Sequence, residues 1–142
     1  MKSQKVCLLF LLGVIMSSTA AVQSLVETPF SVIGTGADNE RRETEPVKLA
    51  PSTTYLFSFT AHRPAPGSGI VVAGPDCANV DWNVKNPVPL ARQFVFRTPA
   101  GEARDERFHF GGLRMTGEVV FEAASVRPVK AWILNDRPLF CS

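Results

Sequence analysis

The chain has 142 residues, of which 45% are hydrophobic and 20% are charged, and its formal net charge is +2 at pH 7. Setting aside Lys2 and Lys5, which precede an apolar run, reduces the 15 basic residues to 13, against 13 Asp and Glu. A neutral chain with scattered charges lacks the electrostatic footprint of a protein that binds nucleic acid or an anionic membrane surface, so we expect neither partner.

The N-terminus has the layout of a secretory signal peptide. After the two lysines comes an apolar run over Val6–Met16, and small residues follow it as far as Ala21. The run is shorter than the roughly 20 residues that a membrane-spanning helix needs. We therefore expect residues 1–21 to be a signal peptide, residues 22–142 to be one domain, and the mature protein to be secreted or periplasmic.

Two cysteines, Cys77 and Cys141, remain when Cys7 is removed with the signal peptide. Because an exported protein meets oxidising conditions, we predict a disulfide between them. The alternative is a pair of free thiols.

Pro and Gly interrupt the remaining chain at intervals of about ten residues, and short runs rich in Val, Phe, Thr and Ile lie between them. This spacing predicts an all-β protein, a two-sheet antiparallel sandwich of about eight strands. Pro29 interrupts the first of these runs, residues 24–34, and indicates that this strand lies at a sheet edge or contains a bulge. The stretches of mixed charge at 41–45 and 103–107 are predicted to be solvated strand ends or loops, and residues 99–106 are predicted to form a polar loop. The predicted strands are 24–34, 44–50, 53–62, 70–74, 79–84, 91–98, 107–115 and one or two within 116–134.

The strongest predicted strand, 53–62, carries Tyr55, Phe57 and Phe59 on alternate positions, so the three rings share one face. Rings in a row either fill a core or stack on a ligand. We predict the core, because three exposed rings on one face would favour aggregation.

Residues that carry enzyme chemistry are sparse. His62 and His109 occur outside any metal-binding spacing and are predicted to be ordinary polar residues, with His109 facing solvent or a concave sheet. Glu118 and Glu122 would lie about 13 Å apart along one strand, farther than the carboxylate pair of a glycosidase. The chain also lacks a Gly-x-Ser-x-Gly elbow. We therefore expect no enzymatic activity.

Three segments occur in an order that resembles a known family. They are "VKLAPSTTYLFSFTAH" (47–62), "QFVFRTPAG" (93–101) and "GEVVFEAASVRPV" (117–129). Together they resemble the galactose-binding-like jelly rolls, which include the carbohydrate-binding modules of bacterial glycoside hydrolases. The resemblance covers roughly residues 44–130. It implies a jelly-roll domain that binds a polysaccharide or oligosaccharide without catalysis, alone or as part of a longer enzyme. The alternative is an exported structural or protein-interaction domain with no sugar ligand.

Candidate ligand-binding residues surround Trp82, which lies in the polar stretch "NVDWNVKN" (79–86). Sugar sites pair an exposed ring with hydrogen-bonding side chains, for which Asp81, Asn83, Arg92 and Arg97 are candidates. Trp82 has a second interpretation as a core anchor, because Val80 and Val84 share its face of a strand.

The resemblance also bears on calcium. The family's closing strand often carries an acid that helps to hold a structural calcium ion, and Glu122 occupies that position here. Calcium takes six to eight oxygen ligands, and Glu122 is a single candidate. We therefore expect no cofactor, and a structural calcium ion at Glu122 is the alternative.

Overall fold

The computed structural model describes residues 21–78 and 80–130, together with the backbone of residues 139 and 140. This part of the chain is all β, which confirms the predicted fold class, and it contains no helix that could cross a membrane. Its strands are β1 (Gln23–Val26), β2 (Phe30–Thr35), β3 (Glu40–Glu43), β4 (Val47–Leu49), β5 (Thr54–His62), β6 (Ile70–Pro75), β7 (Asp81–Trp82), β8 (Leu90–Arg97), β9 (Arg104–Glu106), β10 (Phe108–Leu113), β11 (Thr116–Pro128) and β12 (Leu139–Phe140).

Two sheets form the sandwich. The six-stranded sheet has the order β1-β11-β5-β8-β12, and β2 also pairs with β11. The four-stranded sheet has the order β3-β10-β6-β7, and β4 and β9 form a separate two-stranded ladder. These pairings are antiparallel except that of β12 with β8, which is parallel. The arrangement confirms the sandwich predicted from the spacing of Pro and Gly.

The first predicted strand is an interrupted edge. Strands β1 and β2 lie end to end along β11, with Gln23 opposite Val126 and Phe30 opposite Phe121. The interruption contains Pro29, which has no N–H to donate to a ladder. This confirms the edge position that Pro29 indicated.

The three rings of β5 lie in the core, as predicted. Tyr55, Phe57 and Phe59 are 7%, 0% and 2% exposed. The Phe57 ring centroid lies 5.5 Å from that of Phe108 on the opposite sheet, so this strand joins the two layers. The Tyr55 hydroxyl accepts a 2.8 Å hydrogen bond from the backbone N–H of Ala50, which gives its polar end a partner.

Two charged segments are strands rather than loops. Strand β9 lies inside the predicted loop 99–106 and pairs with β4, where Asp105 lies opposite Lys48. Strand β3 lies in the mixed-charge stretch and pairs with β10, where Arg42 lies opposite Phe110. The prediction of a loop over 99–106 was wrong at 104–106, because backbone pairing with a neighbouring strand is sufficient to form an edge strand, which tolerates charged side chains.

Several predictions fall outside the described residues. The proposed signal peptide lies there except for Ala21, as do Cys141 and the end of the last predicted strand. Cys77 is half-buried in the loop after β6, and its N–H donates a 2.8 Å hydrogen bond to the buried carboxylate of Glu106. The pairing of Cys77 with Cys141 stays a prediction.

Candidate functional site

The outer face of the four-stranded sheet carries a row of side chains from neighbouring strands. Val72 of β6 lies opposite Asp81 of β7 on one side and opposite Gly111 of β10 on the other. Gly111 in turn lies opposite Arg41 of β3. Because residues in register point to the same side of a sheet, Arg41, Val72 and Asp81 share this face.

Two hollows on this face meet at Asp81, and together we call them the sheet-face site. The first has a volume of about 210 Å³ and is lined by Asn39, Arg41, Val72, Asp81, His109, Gly112 and Leu113. The second has a volume of about 420 Å³ and is lined by Gly69, Ile70, Asp81, Trp82, Asn83 and Lys85.

His109 is the buried polar group of the sheet-face site. Its side chain is 2% exposed, and its Nδ1 lies 3.1 Å from Oδ1 of Asp76. Burial lowers the pKa of His109 below 6.5, although the hydrogen bond and the charge of Asp76 oppose the shift. In its neutral form the imidazole can only donate to a carboxylate, so that Nδ1 then carries the proton and Nε2 is left as an acceptor.

His109 was predicted to face solvent or a concave sheet, and it lies on the face of the sheet but is not exposed to solvent. Phe108 and Phe110 on either side of it point into the core, with 0% and 1% exposure, so His109 does lie on the outer face. It is covered there because β10 is an inner strand, and His109 is flanked in register by Glu43 of β3 and Gly74 of β6.

Trp82 fits both interpretations in part. Its ring meets Phe59 edge-on with a centroid distance of 5.2 Å, and its Nε1 donates a 3.3 Å hydrogen bond to the carbonyl of Ala73. These contacts confirm that the ring points toward the core. The side chain is nevertheless only half-buried, and its exposed part lines the second hollow.

The apolar surface of the face is aliphatic. Ile70 and Leu113 lie opposite each other on β6 and β10 and are 40% and 42% exposed. By contrast, every aromatic side chain in residues 21–78 and 80–130 is buried or half-buried. A ligand on this face would therefore meet two aliphatic side chains and the rim of one indole.

Arg63 positions the loops that border the second hollow. Its side chain is 2% exposed and donates to three backbone carbonyls, from Nε to Val84 (2.7 Å), from Nη1 to Thr116 (2.7 Å) and from Nη2 to Ser68 (2.9 Å). Burial lowers the pKa of the guanidinium. Val84 follows Asn83, and Ser68 precedes Gly69, so this one side chain fixes two segments of the lining.

Of the five predicted ligand-binding residues, the structure brings four together. Asp81, Trp82 and Asn83 line the second hollow, and Nη2 of Arg92 donates a 3.4 Å hydrogen bond to the carbonyl of Asn83. Burial lowers the pKa of Arg92. Arg97 lies apart, because it is five residues farther along β8, about 17 Å in an extended strand. Its Nη1 donates a 3.4 Å hydrogen bond to Oγ1 of Thr54 instead.

Other residues of the site were missed by the sequence interpretation. Arg41, Ile70 and Leu113 belong to three different strands, and only the strand order brings them to one face. A usable signal was the alternation Phe108-His109-Phe110, which fixes the orientation of β10 and leads to Leu113 on the same side.

The surroundings of Glu122 contain few ligands for calcium. Its Oε1 lies 3.3 Å from Nδ1 of His62, without hydrogen-bond geometry. In the part of the chain that the structure describes, no group of three or more His, Cys, Asp or Glu residues could hold a metal ion. Calcium prefers oxygen ligands to an imidazole, so the donor set at Glu122 does not fit this ion.

No protein-family model matches the chain, and no curated protein matches it in sequence. Solved structures do match its fold. A structure described as "CBM4 structure and function" superposes with a TM-score of 0.59, covering 78% of each chain at 16% identity. A second module of carbohydrate-binding family 16 gives 0.53, covering 80% of this chain and 88% of the other at 17% identity.

A third match is xylanase 10B of Clostridium thermocellum, solved as its CBM22-1 and GH10 modules with xylohexaose. The TM-score is 0.54 at 11% identity, and the match covers 84% of this chain but only 26% of the xylanase. At these identities the comparison establishes the fold alone. The chain has the jelly-roll fold of the carbohydrate-binding modules, which confirms the resemblance seen in the sequence.

Proposed function

We propose that the protein is a secreted, non-catalytic domain that binds a polysaccharide or oligosaccharide at the sheet-face site. The observation that carries the proposal is the junction at Asp81, where hollows of about 210 and 420 Å³ form one surface. Ligand sites combine apolar surface with a few convergent polar groups, and this surface has both. The fold neighbours support the ligand class, since they are carbohydrate-binding modules.

Each part of the surface suits one part of a sugar. Ile70 and Leu113 can pack against the C–H patches of a sugar ring. The carboxylate of Asp81 and Nε2 of His109 accept hydrogen bonds from hydroxyl groups, and the Asn83 amide can donate or accept. Arg41 adds a donor, and its Nη2 is already oriented by a 2.9 Å ion pair with Glu43.

Affinity electrophoresis through gels that contain soluble polysaccharides tests this proposal. We expect xylan, a mixed-linkage β-glucan or laminarin to retard the protein, and Asp81→Ala to weaken binding about tenfold, the effect of losing one charged hydrogen bond. Asp105→Ala is the matched control, because Asp105 is exposed on β9. Unretarded migration of the wild type through every gel would contradict the proposal.

The non-catalytic part of the proposal has support from the fold neighbours, which are carbohydrate-binding modules. We expect no release of reducing ends from any polysaccharide that the protein binds. Release that persists in the purified domain and disappears in Asp81→Asn would overturn this part.

A protein-interaction domain is the second candidate function, and the aliphatic pair favours it. Ile70 and Leu113 are exposed where a sugar site would usually present a ring. For this function we expect capture of a protein from an envelope extract that soluble glycans do not compete away. Leu113→Ser should abolish such capture, whereas Asp105→Ala, on exposed β9, should leave it unchanged.

A further inference from the structure

A separate groove lies on the other side of β3. We call it the edge groove, and it is formed by Gln23–Thr28, Phe30, Arg42–Val47 and Phe110. Its volume of about 490 Å³ falls in the range of small-ligand sites. Because side chains alternate along a strand, Arg41 belongs to the sheet-face site and the neighbouring Arg42 belongs to the edge groove.

Phe30 supplies the edge groove with a half-buried aromatic ring. The core holds this ring in place, since it stacks on Phe121 at a centroid distance of 5.5 Å and meets Phe110 edge-on at 5.7 Å. The guanidinium carbon of Arg42 lies 4.4 Å from the ring centroid. The ring is therefore fixed on its core side and covered by Arg42 toward the groove.

Arg42 is a weakly held cover. Its side chain is exposed, and among the described residues it has no ion pair or hydrogen bond besides the contact with Phe30. A cation over a ring at an exposed site is held weakly, and a long arginine side chain can rotate away from it. Removing Arg42 would leave a flat, preoriented ring at the mouth of the groove.

The polar lining suits a polyhydroxylated ligand. Glu27 and Glu45 place carboxylate acceptors along the groove, and Gln23 and Thr44 add groups that both donate and accept. Phe110 and Val47 are buried at the inner end of the groove. The groove thus combines a ring on which a sugar can stack with groups that bind hydroxyls. In the sheet-face site, the only aromatic surface is the exposed edge of Trp82.

We infer that the edge groove is a second saccharide-binding site, in which a sugar ring displaces Arg42 from Phe30. The C–H face of the sugar then packs on the ring face that the guanidinium has left. This inference rests on the proposed function, because it assigns the same class of ligand to a different surface.

Titration of the ¹⁵N-labelled protein with xylohexaose and with cellohexaose separates the two sites. Shifts of the Thr28, Phe30 and Arg42 amides that saturate with added sugar support the edge groove. Shifts confined to Ile70, Asp81 and Leu113 support the sheet-face site and overturn the edge groove. Shifts confined to the edge groove support it and contradict the sheet-face assignment, and a spectrum unchanged by either sugar overturns both. A response of the groove to hexalysine and not to sugars would also overturn the saccharide assignment.

Substitutions in the edge groove give a second readout. We expect Phe30→Leu to weaken sugar binding in the groove about tenfold. Phe30→Tyr should retain it, because the ring is kept. Arg42→Ala should bind at least as tightly as the wild type, since the ring is already uncovered, and Arg41→Ala is the matched control that alters only the sheet-face site. Groove affinities of Phe30→Leu and Phe30→Tyr that both equal the wild type, in proteins that unfold at the wild-type temperature, would overturn the role of the ring.

Discussion

Phe57 contacts rings on both sheets and shows how strongly one residue holds the sandwich together. Its centroid lies 5.4–6.1 Å from those of four other phenylalanines, and its side chain is completely buried. We predict that Phe57→Ala lowers the free energy of unfolding by about 3–5 kcal/mol, because it leaves a cavity between the sheets. Urea unfolding measures this loss. Phe57→Leu should lose less, and a loss below about 1 kcal/mol for the alanine variant would contradict the core assignment.

His109 makes stability depend on pH. Its neutral form is favoured in the folded protein, because burial lowers its pKa below the unfolded value of 6.5. The facing charges are Asp76 and Glu43, which oppose the shift, and Arg41, which adds to it. Between the two pKa values this histidine binds more protons in the unfolded chain than in the folded one, so its contribution to stability falls as the pH falls below about 6.5.

Urea unfolding at a series of pH values checks this dependence, with His109→Gln as the comparison. The wild type should lose stability between pH 7 and pH 5 more steeply than His109→Gln, which cannot be protonated at this position. Parallel curves for the two proteins would show that His109 does not titrate differently on folding.

At the level of strands and loops, Arg63 is the side chain that ties separate segments together. We predict that Arg63→Lys destabilises the protein, because an ammonium group cannot reach all three carbonyls and each buried carbonyl left unpaired costs about 1–3 kcal/mol. Hydrogen exchange should accelerate in residues 64–69 and 83–86, which the guanidinium now holds. Arg107→Lys is the matched control, since Arg107 is exposed, and equal exchange in the two variants would contradict this role.

The strands differed in how far their sequences predicted them. Strands β5 and β8 were predicted correctly because β-branched and aromatic residues fill them and alternate with the sheet. Strands β3 and β9 have no such pattern, and their conformation depends on a partner strand that is distant in sequence. The candidate site was likewise predicted where it is local in sequence and missed where it depends on the pairing of distant strands. The local triplet at 81–83 was predicted, but Arg41, Leu113 and the role of Arg63 depend on strand order, which local periodicity does not encode.

At the level of the whole molecule, the predicted disulfide would close a loop of more than sixty residues between Cys77 and Cys141. By the loop-entropy relation, such a bridge stabilises by roughly 4 kcal/mol. We expect mass spectrometry of the unreduced protein to detect a peptide pair containing both cysteines. We also expect the double substitution Cys77→Ala, Cys141→Ala to lower the unfolding temperature. Alkylation of both thiols in the native, unreduced protein would contradict the bridge.

The position of β11 determines when the sandwich can fold during synthesis of the chain. This strand pairs with β5 on one side and with both β1 and β2 on the other. Gln23 therefore has no strand partner until Val126, about a hundred residues later in the chain, has been synthesised. Pairings across such long separations are slow to form, because loop closure must precede the contacts. A ribosome would therefore release most of the chain before the sandwich could close, and a fragment that ends at Met115 should give the circular-dichroism spectrum of an unfolded chain.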